Sequence, residues 1–302
     1  MLKKVLFSVI VIILLAGVWY FFIKSHDYQI SFEIKNPKGV AYENIVKWNN
    51  GQPKSKQEVF TISKEPYSAI HQEFKPTQDS IFAIDWQLSK KNDSVTKIKG
   101  YFTDKNSRLK QRVKILFGKT DFVKRSISFT KDMREYMSYD IETHRISKID
   151  TTTILPKKYI YTTLSTTVAN KANLMISENA KMMSYINQNE LTLNGFPFLQ
   201  VESWDKTTDS ITFKFCYPIK EVHNSPSNMV TYKEDESYKA MQIIYNGNYR
   251  KSHVAWYAYD DYFDTIEIDK NVLPTEVFMN DPHQGGDELK WVTKVLIPID
   301  KE

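Results

Sequence analysis

Residues 195–219 and 273–299 share one order of features, and this repetition constrains the fold more than any other part of the chain. In each stretch a proline opens an apolar, strand-like run, a polar turn follows, and a second apolar run ends in Pro-Ile. A repeated unit that cannot bury its apolar face alone usually packs against its twin. The sequence therefore predicts two related units with a cleft between them, a common location for a small-molecule site. The corresponding prolines are 77 and 80 positions apart: Pro197 with Pro274, and Pro218 with Pro298.

Composition supports folded domains rather than a disordered chain. Apolar residues make up 41% of the 302 residues and aromatic residues 14%, which is enough for two cores. The single cysteine, Cys216, excludes a disulfide framework within the chain and a cysteine-rich zinc site. Because Cys216 lies in an apolar run, we expect a buried, unreactive thiol.

Residues 5–23 form an apolar run without a charge. As a helix, these nineteen residues span about 28 Å, close to the thickness of the hydrocarbon core of a bilayer. A cleaved signal peptide is the alternative, but the run continues past Ala16 and Gly17, where cleavage is conceivable, to Ile23. We expect a single-pass membrane anchor over residues 1–24.

The charges on both sides of the apolar run indicate the orientation of this anchor in the membrane less clearly than the run itself indicates a membrane span. Lys3 and Lys4 directly precede the apolar run, as in signal-anchors whose amino end stays in the cytoplasm. Lysines also follow the run, so a cytoplasm-facing arrangement is the alternative. The prediction is a protein of the bacterial inner membrane with most of the chain in the periplasm.

The charge distribution divides the remainder of the chain. Residues 24–150 hold 24 Lys/Arg against 16 Asp/Glu, whereas residues 151–302 hold 15 against 20. The stretch 151–156, at this change, has the composition of a short linker. We therefore expect one domain over 25–150 and another over 155–302.

The basic first domain does not predict a nucleic-acid partner. Its lysines are scattered, and no helix-turn-helix, zinc module or arginine-rich arm is present. The interpretations that remain are a solvated basic face and contact with anionic lipid headgroups beside the anchor.

The first domain is predicted to be α+β. Alternating residues predict a strand at 28–34 and four more between 58 and 102, with a short helix at 40–48 and a long helix at 120–146. With the stretches 83–88 and 93–97, this order resembles the polyketide cyclase/START-like superfamily. That resemblance implies a helix-grip fold, in which a curved sheet surrounds the long helix, but no shared catalytic residue.

The second domain carries ordered motifs. Tyr245-Asn-Gly247-Asn-Tyr249 leads into an aromatic helix, Leu-Pro-Thr-Glu276 follows, and Trp291-Val-Thr begins the last strand. This order resembles the gyrase-inhibitor-like (GyrI-like), or bacterial transcription-activator effector-binding, domain. The resemblance implies a tandem pair of strand-helix-strand-strand units around a cleft for lipophilic, often cationic, ligands.

The predicted ligand site is centred on a carboxylate in an apolar strand. If Glu276 faces inward, its charge needs a partner, and a cationic ligand supported by aromatic faces would supply one. An outward-facing Glu276 is the open alternative. The candidate ligand-binding residues are Glu276, Trp256, Tyr259, Tyr245, Tyr249 and Trp291.

These features favour binding over catalysis. Some GyrI-like proteins are hydrolases, and in a hydrolase of this kind Glu276 could serve as the general base. However, the histidines are not closely paired and there is no glycine-rich phosphate loop. We expect no metal, no cofactor and no catalytic residue.

The predicted function is binding of a hydrophobic or amphipathic small molecule by a membrane-anchored protein without a DNA-binding domain. The alternative is a lipid-binding or envelope interaction protein that acts through the START-like domain. The sequence does not identify a protein partner.

Overall fold

The computed structural model describes residues 2–48, 58–77, 80–92, 95–221, 230–266, 273–280 and 285–299. The chain divides into two compact units, Met1–Ser138 and Tyr139–Glu302, which we call unit 1 and unit 2. Both are α+β, and their sheets are antiparallel.

The apolar run near the amino terminus is helical. Helix α1 spans Leu2–Val18 and continues as a π-helical turn over Trp19–Ile23, with no buried residue in either. Among the described residues, Leu2–Ile23 is the one helix long and apolar enough to cross a membrane, a property that a signal sequence shares.

After the apolar helix, unit 1 contains a five-stranded sheet and three helices. The elements are β1 (Tyr28–Ile34), α2 (Lys38–Trp48), β2 (Glu58–Glu65), β3 (Ala69–Thr77), β4 (Ser80–Asn92), β5 (Val95–Asp104), α3 (Arg108–Ile115) and α4 (Asp121–Glu142). The strands follow the order β1-β5-β4-β3-β2 in the sheet. Strand β1 pairs with β5 because the chain returns to it after the β2–β5 meander.

Helix α4 packs on this sheet through aromatic side chains. The ring of Phe129 stacks on Phe74 with centroids 4.4 Å apart, and Phe122 meets Phe82 edge-on at 4.8 Å. The long helix predicted at 120–146 is shorter than expected, because the chain turns after Glu142 and residues 144–146 form a strand. Local periodicity did not predict that strand because its pairing partner lies about a hundred residues further along the chain.

A buried arginine joins the end of the apolar helix to the rest of unit 1. Arg112 of α3 is 1% exposed, and its Nε donates to Asp27 Oδ1 at 2.6 Å. The other guanidinium nitrogens donate to the carbonyl oxygens of Tyr20, Phe21, Lys24 and His26. These carbonyls lie at and just after the helix end, where the helix itself provides no donors.

Unit 2 is built on a nine-stranded sheet among the described residues. Its elements are β6 (His144–Ile146), β7 (Asp150–Ile154), β8 (Lys157–Thr167), α5 (Lys171–Gln188), β9 (Phe198–Asp205), β10 (Ser210–Ile219), β11 (Thr231–Asp235), β12 (Tyr238–Gly247), α6 (Val254–Ile266), β13 (Thr275–Phe278) and β14 (Val292–Pro298). The strand order is β11-β8-β10-β9-β13-β14-β12-β6, and β7 also pairs with β12.

The stretch expected to be a linker is part of this sheet. Residues 150–154 form β7, whose register pairs Tyr238 with Ile154 and Gln242 with Asp150. Its run of three threonines suits an edge strand, so the change in charge along the sequence does not coincide with a break in the fold.

The two proline-led stretches meet at the centre of the sheet. Strands β9 and β13 pair antiparallel, with Glu276 opposite Leu199. Val201 N donates to Pro274 O at 3.0 Å, and Phe278 N donates to Pro197 O at 3.0 Å. Each donor lies four residues after the proline of its own stretch, so the contact is reciprocal.

Candidate functional site

Unit 2 contains a cavity of about 1030 Å³ beside helix α5. Ala172, Met175, Ile176, Asn179 and Met183 of α5 line it. Their spacings of three, one, three and four residues place them on one face of the helix. Other parts of the lining come from Phe196, Pro197, Phe215, Tyr217, Asn248, Tyr249, Arg250, Phe278, Met279, Asn280, Gly285, Gly286, Asp287, Lys290 and Trp291.

Three aromatic rings form one wall of the cavity. Tyr249 lies between Phe278 and Trp291, with ring centroids 5.0 Å and 5.7 Å away. Hydrogen bonds fix the tyrosine, because its hydroxyl donates to Asn280 O at 3.0 Å and accepts from Asn280 N at 2.8 Å. Such rings offer flat apolar surface at low conformational cost.

The charged groups of the lining are exposed. Arg250, Asp287 and Lys290 are solvent-accessible, so the cavity has two cationic side chains and one anionic side chain at its edge. Arg250 is held by a hydrogen bond from its guanidinium to Asn173 Oδ1. The interior is lined mainly by methionine and aromatic side chains.

Glu276 points into unit 2 and already has a cationic partner. Its side chain is fully buried, and Lys171 Nζ donates to its Oε2 at 2.9 Å and to its Oε1 at 3.2 Å. The lysine is 1% exposed and also donates to Ser252 Oγ at 2.6 Å. Oγ of Ser252 lies 2.9 Å from Glu276 Oε2. A buried charge is tolerated when it is paired and hydrogen-bonded in this way.

This buried pair contacts the backbone of the cavity wall. Lys171 Nζ lies 3.4 Å from the carbonyl oxygen of Tyr249, and Ser252 Oγ lies 2.8 Å from the same oxygen. The pair therefore contacts Tyr249 at its backbone, whereas Asn280 contacts the hydroxyl at the other end of the same residue.

The six predicted site residues fall into two groups. Tyr249 and Trp291 line the cavity, whereas the other four are buried and are not among its described lining residues. The hydroxyl of Tyr259 donates to Val295 O at 2.8 Å, and that of Tyr245 donates to Asn248 O at 3.0 Å. Trp256 lies next to the ion pair, with Lys171 Nζ 5.4 Å from its ring centroid.

Burial keeps the phenols of this inner layer protonated. It raises the pKa of Tyr245, and the nearby Glu276 carboxylate raises it further. Burial also raises the pKa of Tyr259. Both hydroxyls are therefore hydrogen-bond donors at neutral pH rather than bases.

Lys171 is the functional candidate that the sequence interpretation missed. It is the first residue of α5. A cation there opposes the helix macrodipole, so it is unfavourable without a nearby anion. That unfavourable position was a usable signal, but nothing in the sequence indicated that the anion was 105 residues away.

The described residues suggest no metal centre. Within them, no group of three or more His, Cys, Asp or Glu side chains is placed to hold a metal ion. The Asp281-Pro282 dipeptide has the composition of a turn and lies outside the described residues.

Comparison with known proteins gives structural similarity at low identity. No protein-family model matches the chain, and no curated protein matches it. The C-terminal domain of EcmrR matches with 14% identity and a TM-score of 0.41, over 51% of this chain and 98% of that domain. The structure of SAV2435 bound to tetraphenylphosphonium matches with 10% identity and a TM-score of 0.31, over 51% of this chain and 94% of that one. A hydrolase from Listeria innocua matches with 13% identity and a TM-score of 0.33, over 51% of this chain and 92% of its own. Values this low assign no ligand or activity to this chain.

Proposed function

We propose that unit 2 binds a lipophilic small molecule in the cavity beside α5, and that the chain is held at a membrane by Leu2–Ile23. The cavity carries this proposal. Its volume of about 1030 Å³ is near the upper end of the range for small-molecule sites, roughly 300–1,000 Å³, and such sites are mostly apolar with a few polar groups.

The arrangement around β9 and β13 supports an effector-binding interpretation. We propose that β8–α5–β9–β10 and β12–α6–β13–β14 are two copies of one strand-helix-strand-strand unit. The support is the reciprocal bonding of Val201 to Pro274 and of Phe278 to Pro197. In this interpretation the two copies differ in function, because Leu199 stands opposite the charged Glu276.

Glu276 has a different role in this proposal from that of a free counter-charge. Lys171 already supplies a positive charge at 2.9 Å, so binding does not require a cationic ligand. The acid instead holds Lys171 behind Tyr249. Tyr249 and Trp291 are the proposed ligand contacts, and Glu276, Trp256, Tyr245 and Tyr259 support the wall on which those contacts stand.

The position in the cell is part of the same proposal. With Lys3 and Lys4 before the apolar helix, the amino end would stay in the cytoplasm and both units would lie outside it. No nucleic-acid contact is proposed. Lipid binding within unit 1 has less support, because Phe74 and Phe129 stack at 4.4 Å between the sheet and α4.

Binding is tested with two probes of similar shape and opposite charge. The full chain in lipid nanodiscs is titrated with tetraphenylphosphonium and with tetraphenylborate, and empty nanodiscs correct for partition into lipid. We expect saturable quenching of tryptophan fluorescence by tetraphenylborate, whether or not the cation also binds, because this site does not require a positive charge on the ligand. Saturable binding of the cation alone would show that the site needs a counter-charge from a carboxylate, Asp287 at its edge or Glu276 behind it, and would contradict this part of the proposal. No saturable binding of either probe would remove the support for this ligand class.

Two exposed apolar side chains provide a matched pair of variants. Phe196 lines the cavity and is 47% exposed, whereas Leu155 is 74% exposed and is not among the lining residues. Phe196→Asp should weaken probe binding by about tenfold or more, since it places a charge in an apolar site. Leu155→Asp should leave binding unchanged, and an equal loss in both variants would argue against this cavity.

Anchoring is tested separately in the native membrane. Extraction with alkaline carbonate and the mass of the mature chain distinguish a retained helix from a cleaved signal. Retention in the membrane with Leu2–Ile23 present supports the anchor. A chain that begins after this segment would refute it without affecting the ligand site.

A further inference from the structure

Helix α3 of unit 1 exposes an apolar stripe that no described element covers. Leu109, Val113, Leu116 and Phe117 are 53%, 46%, 60% and 87% exposed. Their spacing of four, three and one residues places them on one side of the helix and of the turn that continues it. An exposed apolar stripe of this kind generally marks an interaction surface.

The face of α3 next to the stripe, which carries Arg108 and Arg112, is attached to the end of the apolar helix α1. Arg112 donates to the carbonyls of Tyr20 and Phe21, both at 2.8 Å, and the hydroxyl of Tyr20 donates to Arg112 O at 3.2 Å. Arg108 adds bonds to the carbonyls of Lys24 and Ser25. The stripe is therefore located where the apolar helix ends, at the level where a bilayer spanned by that helix would meet water.

The charge around the stripe matches a lipid surface. There is no acidic residue between Asp104 and Asp121, a segment that contains Lys105, Arg108, Lys110, Arg112, Lys114 and Lys119. Lys110 and Lys114 are exposed and follow the stripe along one flank of α3. Basic side chains beside apolar ones are typical of helices that lie in the interface of an anionic membrane.

We propose that α3 and the turn after it lie in the interface of the membrane that α1 spans, with Leu109, Val113, Leu116 and Phe117 among the upper acyl chains and Lys110 and Lys114 at anionic headgroups. This inference rests on the proposed membrane anchor. It does not depend on the ligand cavity of unit 2.

The test measures the depth of a fluorophore at position 117. Phe117→Cys in the full chain is labelled with bimane, and Ile62→Cys on β2 of the same unit, where the side chain is 57% exposed, is the control. The native Cys216 is buried and is not expected to react. Each protein is reconstituted in phosphatidylcholine–phosphatidylglycerol vesicles that contain lipids spin-labelled near the headgroup.

We expect the lipid quencher to reduce the fluorescence at position 117 by about twofold or more and iodide to reduce it weakly, with the reverse at position 62. The variant Lys110→Glu/Lys114→Glu should reduce lipid quenching at position 117 in the anionic vesicles, whereas in pure phosphatidylcholine it should have less effect.

Three other outcomes would overturn the inference, and each would indicate a different location for the stripe or the chain. Strong iodide quenching at position 117 with the chain still in the vesicles would place the stripe in water and refute only this proposal. Protection from both quenchers would indicate a protein partner instead of lipid. Loss of the chain from floated vesicles would refute the anchor as well.

Discussion

Leu199 and Glu276 are direct partners in the pairing of β9 with β13, and both side chains are fully buried. They occupy the same place in the two stretches, two residues after the first proline. The pairing therefore sets a leucine against a carboxylate at the centre of the sheet. Because the opposite strand offers this carboxylate no charge, its partner comes from a different element, at Lys171 of α5.

Loss of the carboxylate should destabilise unit 2. We expect Glu276→Gln to lower the free energy of unfolding by about 3–5 kcal/mol, because it leaves the Lys171 ammonium buried without a counter-charge. Urea denaturation of the full chain in nanodiscs, followed by tryptophan fluorescence, measures the change.

The double variant Lys171→Met/Glu276→Leu is the control for that measurement. Removing both charges should restore much of the stability lost in Glu276→Gln, since apolar replacements of a buried pair are often tolerated. A Glu276→Gln protein as stable as the wild type would show that the pair contributes nothing.

The last residue of β12, Gly247, has to be glycine. Gly247 has φ +152°, and a Cβ there would lie 2.6 Å from Tyr245 Oη and 3.0 Å from His144 Cβ. Gly247→Ala should therefore destabilise unit 2 by more than the roughly 1–3 kcal/mol of backbone strain alone.

A control at Gly118 distinguishes the cost of backbone strain from the cost of the close contacts. Its φ is +151°, but a Cβ there would have no neighbour within 4 Å. Gly118→Ala should cost only the backbone strain, and thermal unfolding of the two variants measures the difference. Equal losses would mean that the contact with Tyr245 relaxes without cost.

Stability of unit 2 should fall in mild acid because of His144. Burial lowers the pKa of this imidazole below its ordinary value of 6.5, and the nearby Lys251 and His253 also lower it, against the opposing effect of Asp140. The unfolded chain therefore binds a proton more readily than the folded one. The stability that the neutral His144 imidazole contributes to the folded state is complete above about pH 6.5, the unfolded value. This stability is lost as the pH falls towards the lowered pKa of the folded state.

Hydrogen exchange of the β12 amides at pH 8 and pH 5.5, corrected for intrinsic rates, measures this loss. His144→Phe keeps a ring against Tyr245, which His144 stacks on at 6.0 Å, but removes the titration. The variant should show a weaker dependence on pH. An unchanged dependence would assign the effect to other groups.

The thiol of Cys216 should be unreactive in the folded protein. It is fully buried, and burial raises its pKa, so little thiolate forms at neutral pH. Ellman's reagent should react with it only after denaturation, whereas the exposed cysteine of Ile62→Cys should react at once. Rapid reaction of native Cys216 would show that β10 opens readily.

The sequence predicted those elements whose pattern is local. Strand β1 begins and ends where the alternation of residues placed it, at Tyr28–Ile34. The burial of Cys216 is confirmed in the same way, because its neighbours in β10 are apolar. In such segments the local pattern of apolar and polar side chains indicates which face is buried.

Features that depend on distant partners were not predictable. Strands β6 and β7 are short and polar, and both form by pairing with β12. The inward orientation of Glu276 was left open, because it depends on Lys171 at the start of α5. Arg112 gave no signal either, since one buried arginine in a basic segment looks like its solvated neighbours.

Arg112 has one further consequence. A guanidinium has five N–H groups; two of them bond to the last helical turn, at Tyr20 and Phe21, and three bond to the segment that leads to β1. These bonds fix the end of the apolar helix and the residues that follow it to α3. We therefore expect a tilt or rotation of that helix in a membrane to be passed on to the rest of unit 1.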